Sequence, residues 1–297
     1  MTAPTCPRAS AVHHRLIGWI TVLGSALCFY LSTAVISWGR GQVALPAAYY
    51  VFARFLLGFL IVGASMLLQR QKPQYNHLHY IIGRTITNAI AVYCFYKAVE
   101  LTTVASANIL NMTYPLFVAL FSWFMIRAQR DRFAVSVVII ASLGIWLILD
   151  PGNLGTGQGE IWGLLSGLTA GISIIYLNLS RQFHDSQTIL LSMFGPGALM
   201  MALLFWNHLF WPSGQEWLYL LACSAAGVLG QYLLTYGFLY VTAVEGAVIS
   251  SSRILIAALL GPLLVADPAL TFQGWLGALI IFAADIALAV RKKSTKL

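Results

Sequence analysis

Two stretches, YKAVELTTVASA at residues 96–107 and YGFLYVTAVEGA at residues 236–247, match at one fixed spacing of 140: Tyr96 with Tyr236, Thr102 with Thr242, Val104 with Val244, and Ala107 with Ala247. Each stretch joins two long apolar runs with almost no polarity between them. A weaker echo pairs Trp19 and Gly24 with Trp162 and Gly167 at a spacing of 143. A segment that recurs in this way marks an internal repeat, so the chain reads as two copies of one unit.

Working outward from these joins, apolar runs between breakers predict spans near 16–38, 46–68, 80–99, 104–125, 133–149, 160–180, 187–206, 217–239, 244–265 and 271–290. The composition demands a membrane. Charged residues make up 9% of the chain, against roughly 25% in an ordinary globular protein, and 59% is hydrophobic, too little polar surface to cover a soluble core. The expectation is an all-α polytopic membrane protein with ten transmembrane helices, five per half. An odd repeat enters the membrane from opposite sides, so the halves are inverted and a site is expected at their interface near the midplane. The predicted organisation is a tail at 1–15, a first repeat at 16–149, an external linker at 150–159, a second repeat at 160–290 and a basic tail at 291–297. The run after Met1–Arg15 is too long for a signal peptide and reads as the first span.

Lysine and arginine placement sets the orientation. With the N-terminus inside, inner segments hold Arg8, Arg15, Arg70, Lys72, Arg127, Arg130, Arg132, Arg181, Arg291, Lys292, Lys293 and Lys296, while outer loops hold only Arg40. Both termini are therefore expected in the cytoplasm, most simply across a bacterial inner membrane. The net charge of +8 sits between apolar runs and at the tails, which argues for topology signals and against nucleic acid as a partner. Cys6, Cys28, Cys94 and Cys223 lack disulfide or ligand spacing, and the six histidines fall in loops or tails, so no metal and no cofactor is expected.

Ten helices, two inverted halves, and a Thr-x-Val-x-x-Ala join before a polar helix resemble the drug/metabolite transporter superfamily, specifically its EamA-type members, over essentially the whole chain. Ala53-Arg54-Phe55 is similar to that family's helix-two arginine motif. The run from Asn108 to Pro115 is similar to its proline-bearing fourth helix. The family often carries an acidic residue after its fourth and ninth helices; Asp267 fits the second place, but the position 140 residues earlier is Arg127, a departure from the pattern. Relatives move amino acids, nucleobases, vitamins and carboxylates, so the resemblance implies transport of a small molecule through the lipid bilayer, with export favoured.

Polar residues at membrane depth nominate the site. An ionised arginine near the bilayer centre costs at least ~2.5 kcal/mol, so Arg54 and Arg253, about nine residues into their spans, should face a cavity or a partner. Asn108, Asn111 and Pro115 share one helical face, and the repeat sets Ser251 opposite Asn111. Substrate contact and interhelical hydrogen bonding are both open for Asn108 and Asn111. Tyr30, Tyr114, Tyr176 and Tyr232 lie deep and need phenol partners, as Asn88 and Gln231 need amide partners. Trp19, Trp38, Trp123, Trp162, Trp211 and Trp217 sit near span ends and read as interfacial anchors. Asp285 is the one acidic residue well inside a span, at a depth similar to that of Arg84. A structural pair between them, or coupling to a proton or counter-substrate, is the expectation.

The sequence thus points to a secondary active transporter, an exporter of an amino-acid-like or carboxylate-bearing metabolite working by alternating access. Export or import of another small metabolite, such as a vitamin, a nucleobase or a drug-like compound, is the alternative, and a membrane sensor or scaffold the remote one. No G-x-x-x-x-G-K-[ST] phosphate loop is present and no clustered acid or base suggests an enzyme.

Overall fold

A computed structural model describes residues 7–75, 77–125, 132–149, 157–237, 240 and 243–294. Among the described residues the chain forms eleven α-helices: α1 (Pro7–Gly39), α2 (Ala47–Leu68), α3 (Leu78–Leu101), α4 (Val104–Asn111), α5 (Tyr114–Met125), α6 (Arg132–Leu149), α7 (Gln158–Ser180), α8 (Ser186–Leu204), α9 (Gly214–Gly237), α10 (Ala243–Leu264) and α11 (Phe272–Ser294). Leu16–Gly39, Ala47–Leu68, Gln158–Leu177, Ser186–Leu204 and Gly214–Gly237 are long and apolar enough to cross a membrane. Shorter apolar stretches fill α6, α10 and α11, and large side chains such as Ile139, Leu143, Leu199 and Leu263 point outward, as a lipid-facing surface requires. The protein is an all-helical, polytopic integral membrane protein.

The first helix begins at Pro7, and its membrane-crossing part, Leu16–Gly39, matches the expected first span. One expectation is refined. The fourth span is two helices, because Pro115 has no N–H to offer the Asn111 carbonyl. The Thr113 hydroxyl takes up the slack by donating to Leu110 O at 2.6 Å, and α5 restarts at Tyr114. The corresponding ninth span, α10, has its proline only at Pro262 and runs unbroken. The join at 102–103 is built by Thr103, whose hydroxyl accepts from Ser106 N at 3.0 Å and caps α4. Its counterpart around Thr242, the linker residues 150–156, Arg127, and the end residues 1–6 and 295–297 lie outside the described residues.

Connectors alternate between two ends of the bundle. At one end Ala47 N donates to Glu100 at 3.0 Å, Val104 N to Asp267 at 2.6 Å, Thr102 to Glu160 at 2.7 Å and Tyr219 to Gln42 at 2.6 Å. At the other, Gln74 N donates to Thr188 at 3.3 Å and Arg181 to Thr235 O at 3.1 Å. Counting α4 and α5 as one span, five spans separate the start of α1 from the start of α7, so the second half begins from the opposite end.

Packing obeys the same symmetry. The most extensive contacts are α3 on α7 and α1 on α9, which an exchange of halves converts into each other; α2 on α8 and α6 on α11 each map onto themselves. Small residues permit the close approaches. Gly163, Gly167 and Gly171 form a stripe along α7 on which the broken span lies, since a Cβ at Gly167 would clash with Thr113 Oγ1 and meet Leu110 O at 2.8 Å. Gly144 and Gly277 do the same for α6 and α11, each opposite the other's carbonyl oxygen.

Candidate functional site

A cavity of about 110 Å³ lies between the α1–α9 and α3–α7 pairs. Arg54 of α2, Arg84 of α3 and Arg253 of α10 all line it, together with Asn88, Asn111, Tyr114, Gln231 and Phe29. The three arginines are 4–5% exposed.

Each guanidinium is oriented by a neutral group. Arg54 Nη1 donates to Tyr96 OH at 3.0 Å. Ser32, which has a single hydrogen, donates it to Cys223 O at 3.0 Å, so the 2.6 Å contact between Tyr96 and Ser32 is donated by the phenol. The relay therefore runs from Arg54 through Tyr96 and Ser32 to a backbone carbonyl. A second relay runs from Arg253, which donates to Asn111 Oδ1, through Asn111 Nδ2 to Ser166 Oγ at 3.0 Å and on to Gly163 O at 2.6 Å. Arg84 Nη1 donates to Ser173 Oγ at 2.5 Å. The Nε atoms of all three arginines lack a hydrogen-bond partner, and among the described residues none of the three forms an ion pair with a carboxylate.

Phe29 holds two of these charges. The Arg54 and Arg253 Cζ atoms lie over its ring at 5.3 and 5.7 Å, with Tyr96 and Phe95 supplying further aromatic faces at 5.7 and 5.2 Å. Cation–π attraction of about 0.5–2 kcal/mol per contact lessens the cost of burial without cancelling the charge. The break in the fourth span sets the C-terminal end of α4 and the N-terminal end of α5 side by side at the wall. Their partial charges oppose, so the guanidiniums dominate the local field. The arrangement suits an anion.

The structure brings some of the expected residues together at this cavity and places others elsewhere. Arg54, Asn88, Asn111, Tyr114, Gln231 and Arg253 line the cavity, and Asn88 and Gln231 make no side-chain hydrogen bond among the described residues. Ser251 does not line it. One residue turns a helix by about 100°, so Ser250 and Arg253 share the cavity face while Ser251 turns to α11 and donates to Asp285 at 2.9 Å. Asn108 is a helix tie, donating to Thr33 at 3.0 Å and Val104 O at 2.8 Å. Tyr30 and Tyr232 pack with the apolar core, and the Tyr176 ring lies over Gly83 between α7 and α3. The expected Arg84–Asp285 pair is absent, because Arg84 points to Ser173 on α7 and Asp285 to Ser251 on α10. Trp162 packs against the core and meets the Tyr93 ring edge-on at 5.8 Å. The side chain of Trp123 lies outside the described residues.

A larger cavity, about 500 Å³, opens at the end that carries Arg40, Glu100 and His208. Its charges are already committed. Arg40 donates to Val99 O and Thr102 O, while Glu100 takes Lys97 at 2.9 Å and the Ala47 N–H. Nearby, burial raises the Asp267 carboxyl above its ordinary value although it accepts the Val104 N–H. The charges of this vestibule are held by structural bonds, and the smaller central cavity is the candidate site.

The model of the EamA-like transporter family matches this chain twice, over residues 16–150 and 157–289. The chain belongs to that family. Among its relatives are an uncharacterized transporter of Helicobacter pylori strain J99, 27% identical with 93% of this chain and 95% of the relative covered, and the pseudopaline exporter CntI of Pseudomonas aeruginosa PAO1, 29% identical with 86% and 90% covered. A solved crystal structure at 21% identity shares the fold, with a TM-score of 0.59 over 94% of this chain and 98% of that one. As an EamA-like transporter the protein moves a small molecule across a lipid bilayer, and its two family units meet at the cavity described above.

Proposed function

We propose that the protein is a secondary active exporter, in a bacterial cytoplasmic membrane, of a small metabolite bearing a carboxylate, such as an amino acid or organic acid. The observation that carries this reading is the set of three buried guanidiniums lining one cavity, each oriented by neutral groups and none paired with a carboxylate among the described residues. Buried charge left unpaired is costly, and a substrate carboxylate is the group that relieves it. Extrusion of lipophilic cations would need the reverse, a carboxylate facing the cavity, and among the described residues none lines it. Export is supported by the relative named as a pseudopaline exporter. The two repeats, 16–149 and 160–290, rock about the cavity to expose it to each side in turn, with both termini in the cytoplasm. Because Arg84 belongs to the cavity, Asp285 is left as the candidate coupling group.

Counterflow in proteoliposomes tests the reading. Radiolabelled amino acids and organic acids should show saturable, mutually competitive exchange that falls at least tenfold in Arg253→Ala. Saturable transport of quaternary ammonium dyes that carboxylates do not inhibit would overturn it.

A further inference from the structure

The three guanidiniums are not one cluster. Arg54 and Arg253 share the Phe29 ring on the α1 side, whereas Arg84 stands on α3 and is anchored to α7, in the facing helix pair. Each wall carries its own amide. Asn88 stands one turn from Arg84 on α3, Gln231 stands one turn from Gly227 on α9, and neither amide makes a side-chain hydrogen bond among the described residues. Arg54 reaches in from α2 and lies against Gly227, where a Cβ would meet its Cδ and Nε at 2.8 Å. The two walls thus each hold a guanidinium beside an amide.

We propose that the cavity binds a substrate with two separate anionic groups, one received by Arg54 and Arg253 with Gln231, the other by Arg84 with Asn88. This rests on the reading of the cavity as a carboxylate site and adds the second charge to it. A monocarboxylate would satisfy one pole and leave the other cation buried and unpaired. A compact dicarboxylate satisfies both, and each guanidinium has an unpartnered Nε from which to begin a forked contact. The cavity is small for this purpose but sufficient: about 110 Å³ equals the share of three to four liquid waters at roughly 30 Å³ each, the room a short diacid needs.

The test compares butyrate, succinate and glutarate binding to the purified full-length transporter by titration calorimetry. At least one diacid should bind tenfold or more tightly than butyrate. Arg84→Gln should weaken that diacid at least tenfold more than it weakens butyrate, and Arg84→Lys, which keeps charge without the fork, should fall between. If Arg84→Gln fails to fold, the wild-type preference and Arg84→Lys decide. Equal affinity for butyrate and both diacids, or a diacid preference unmoved at position 84, overturns the second pole while leaving the carboxylate reading intact. Binding of none of the three acids, with binding of tetraethylammonium instead, overturns both.

Discussion

Arg253, on α10, donates to the side-chain carbonyl of Asn111 at the end of α4, so the polar faces of the fourth and ninth spans are joined across the repeat. The bond fixes the direction of the guanidinium and leaves its charge for a ligand. Asn111→Asp, of nearly the same shape, would supply the missing negative charge from within. The expected outcome is a protein with a higher melting temperature and at least tenfold weaker binding of carboxylates, since hydrogen bonds to charged groups contribute about 1.5–3 kcal/mol. Thermal unfolding and titration of one sample check both; undiminished carboxylate affinity would show that Arg253 does not receive the cargo.

Gly227 offers a test that leaves all charges in place. Alanine in a helix is favoured over glycine by about 1 kcal/mol, so Gly227→Ala should not harm helix formation. Its methyl group, however, would enter the space of Arg54 Cδ and Nε at 2.8 Å. Carboxylate affinity should fall severalfold or more with the protein still folded. Gly24→Ala is the control, because its added carbon would meet only the flexible end of Leu233 at 3.4 Å and should leave binding within about twofold.

Why some of this was legible and some not follows from the residues. Arg54, Arg253 and Asn111 stand out because polar groups at membrane depth need a reason. The repeat was legible because Tyr96, Thr102, Val104 and Ala107 recur at one spacing. Equivalence of sequence is not equivalence of surroundings, however: Tyr96 is fully buried and bonded to Arg54, while Tyr236 is 48% exposed and bonded to Tyr240. Phe29 could not be singled out among 16 phenylalanines, since aromatic rings fill cores and interfaces alike. Choosing Ser250 over Ser251 needs the rotation of α10 about its axis to within one residue, which no periodicity gives in a helix apolar on most sides. Depth alone put Arg84 beside Asp285; only the packing of α3 on α7 turns it to Ser173.

The loop bonds define two ends of the bundle, and the basic residues assign them to sides. The end holding Gln42 and Gln215 should face outside, and that holding Lys72 the cytoplasm. Single cysteines at Gln42 and Lys72, both exposed, in a background with the native cysteines replaced, should divide cleanly: an impermeant maleimide added to intact cells labels the first and spares the second until the cells are opened. The reverse pattern would invert the assignment and turn the vestibule near Arg40 toward the cytoplasm.

Asp285 separates binding from coupling. It is 1% exposed on α11, with one oxygen accepting from Ser251 and the other without a partner. Across the packed helices it meets Ser251 on α10 and interacts with Tyr114 on α5, so it sits behind α10, the helix that carries Arg253. Asp285→Asn keeps the shape and an acceptor for the Ser251 hydroxyl while removing the group that exchanges a proton. Carboxylate affinity should stay within about threefold, and counterflow, which needs no driving gradient, should persist. Uphill flux driven by an imposed pH gradient should fall at least tenfold. Full gradient-driven flux in the variant would remove Asp285 from the transport cycle and leave the energy to a counter-substrate, detectable as flux that requires a second solute on the opposite side of the membrane.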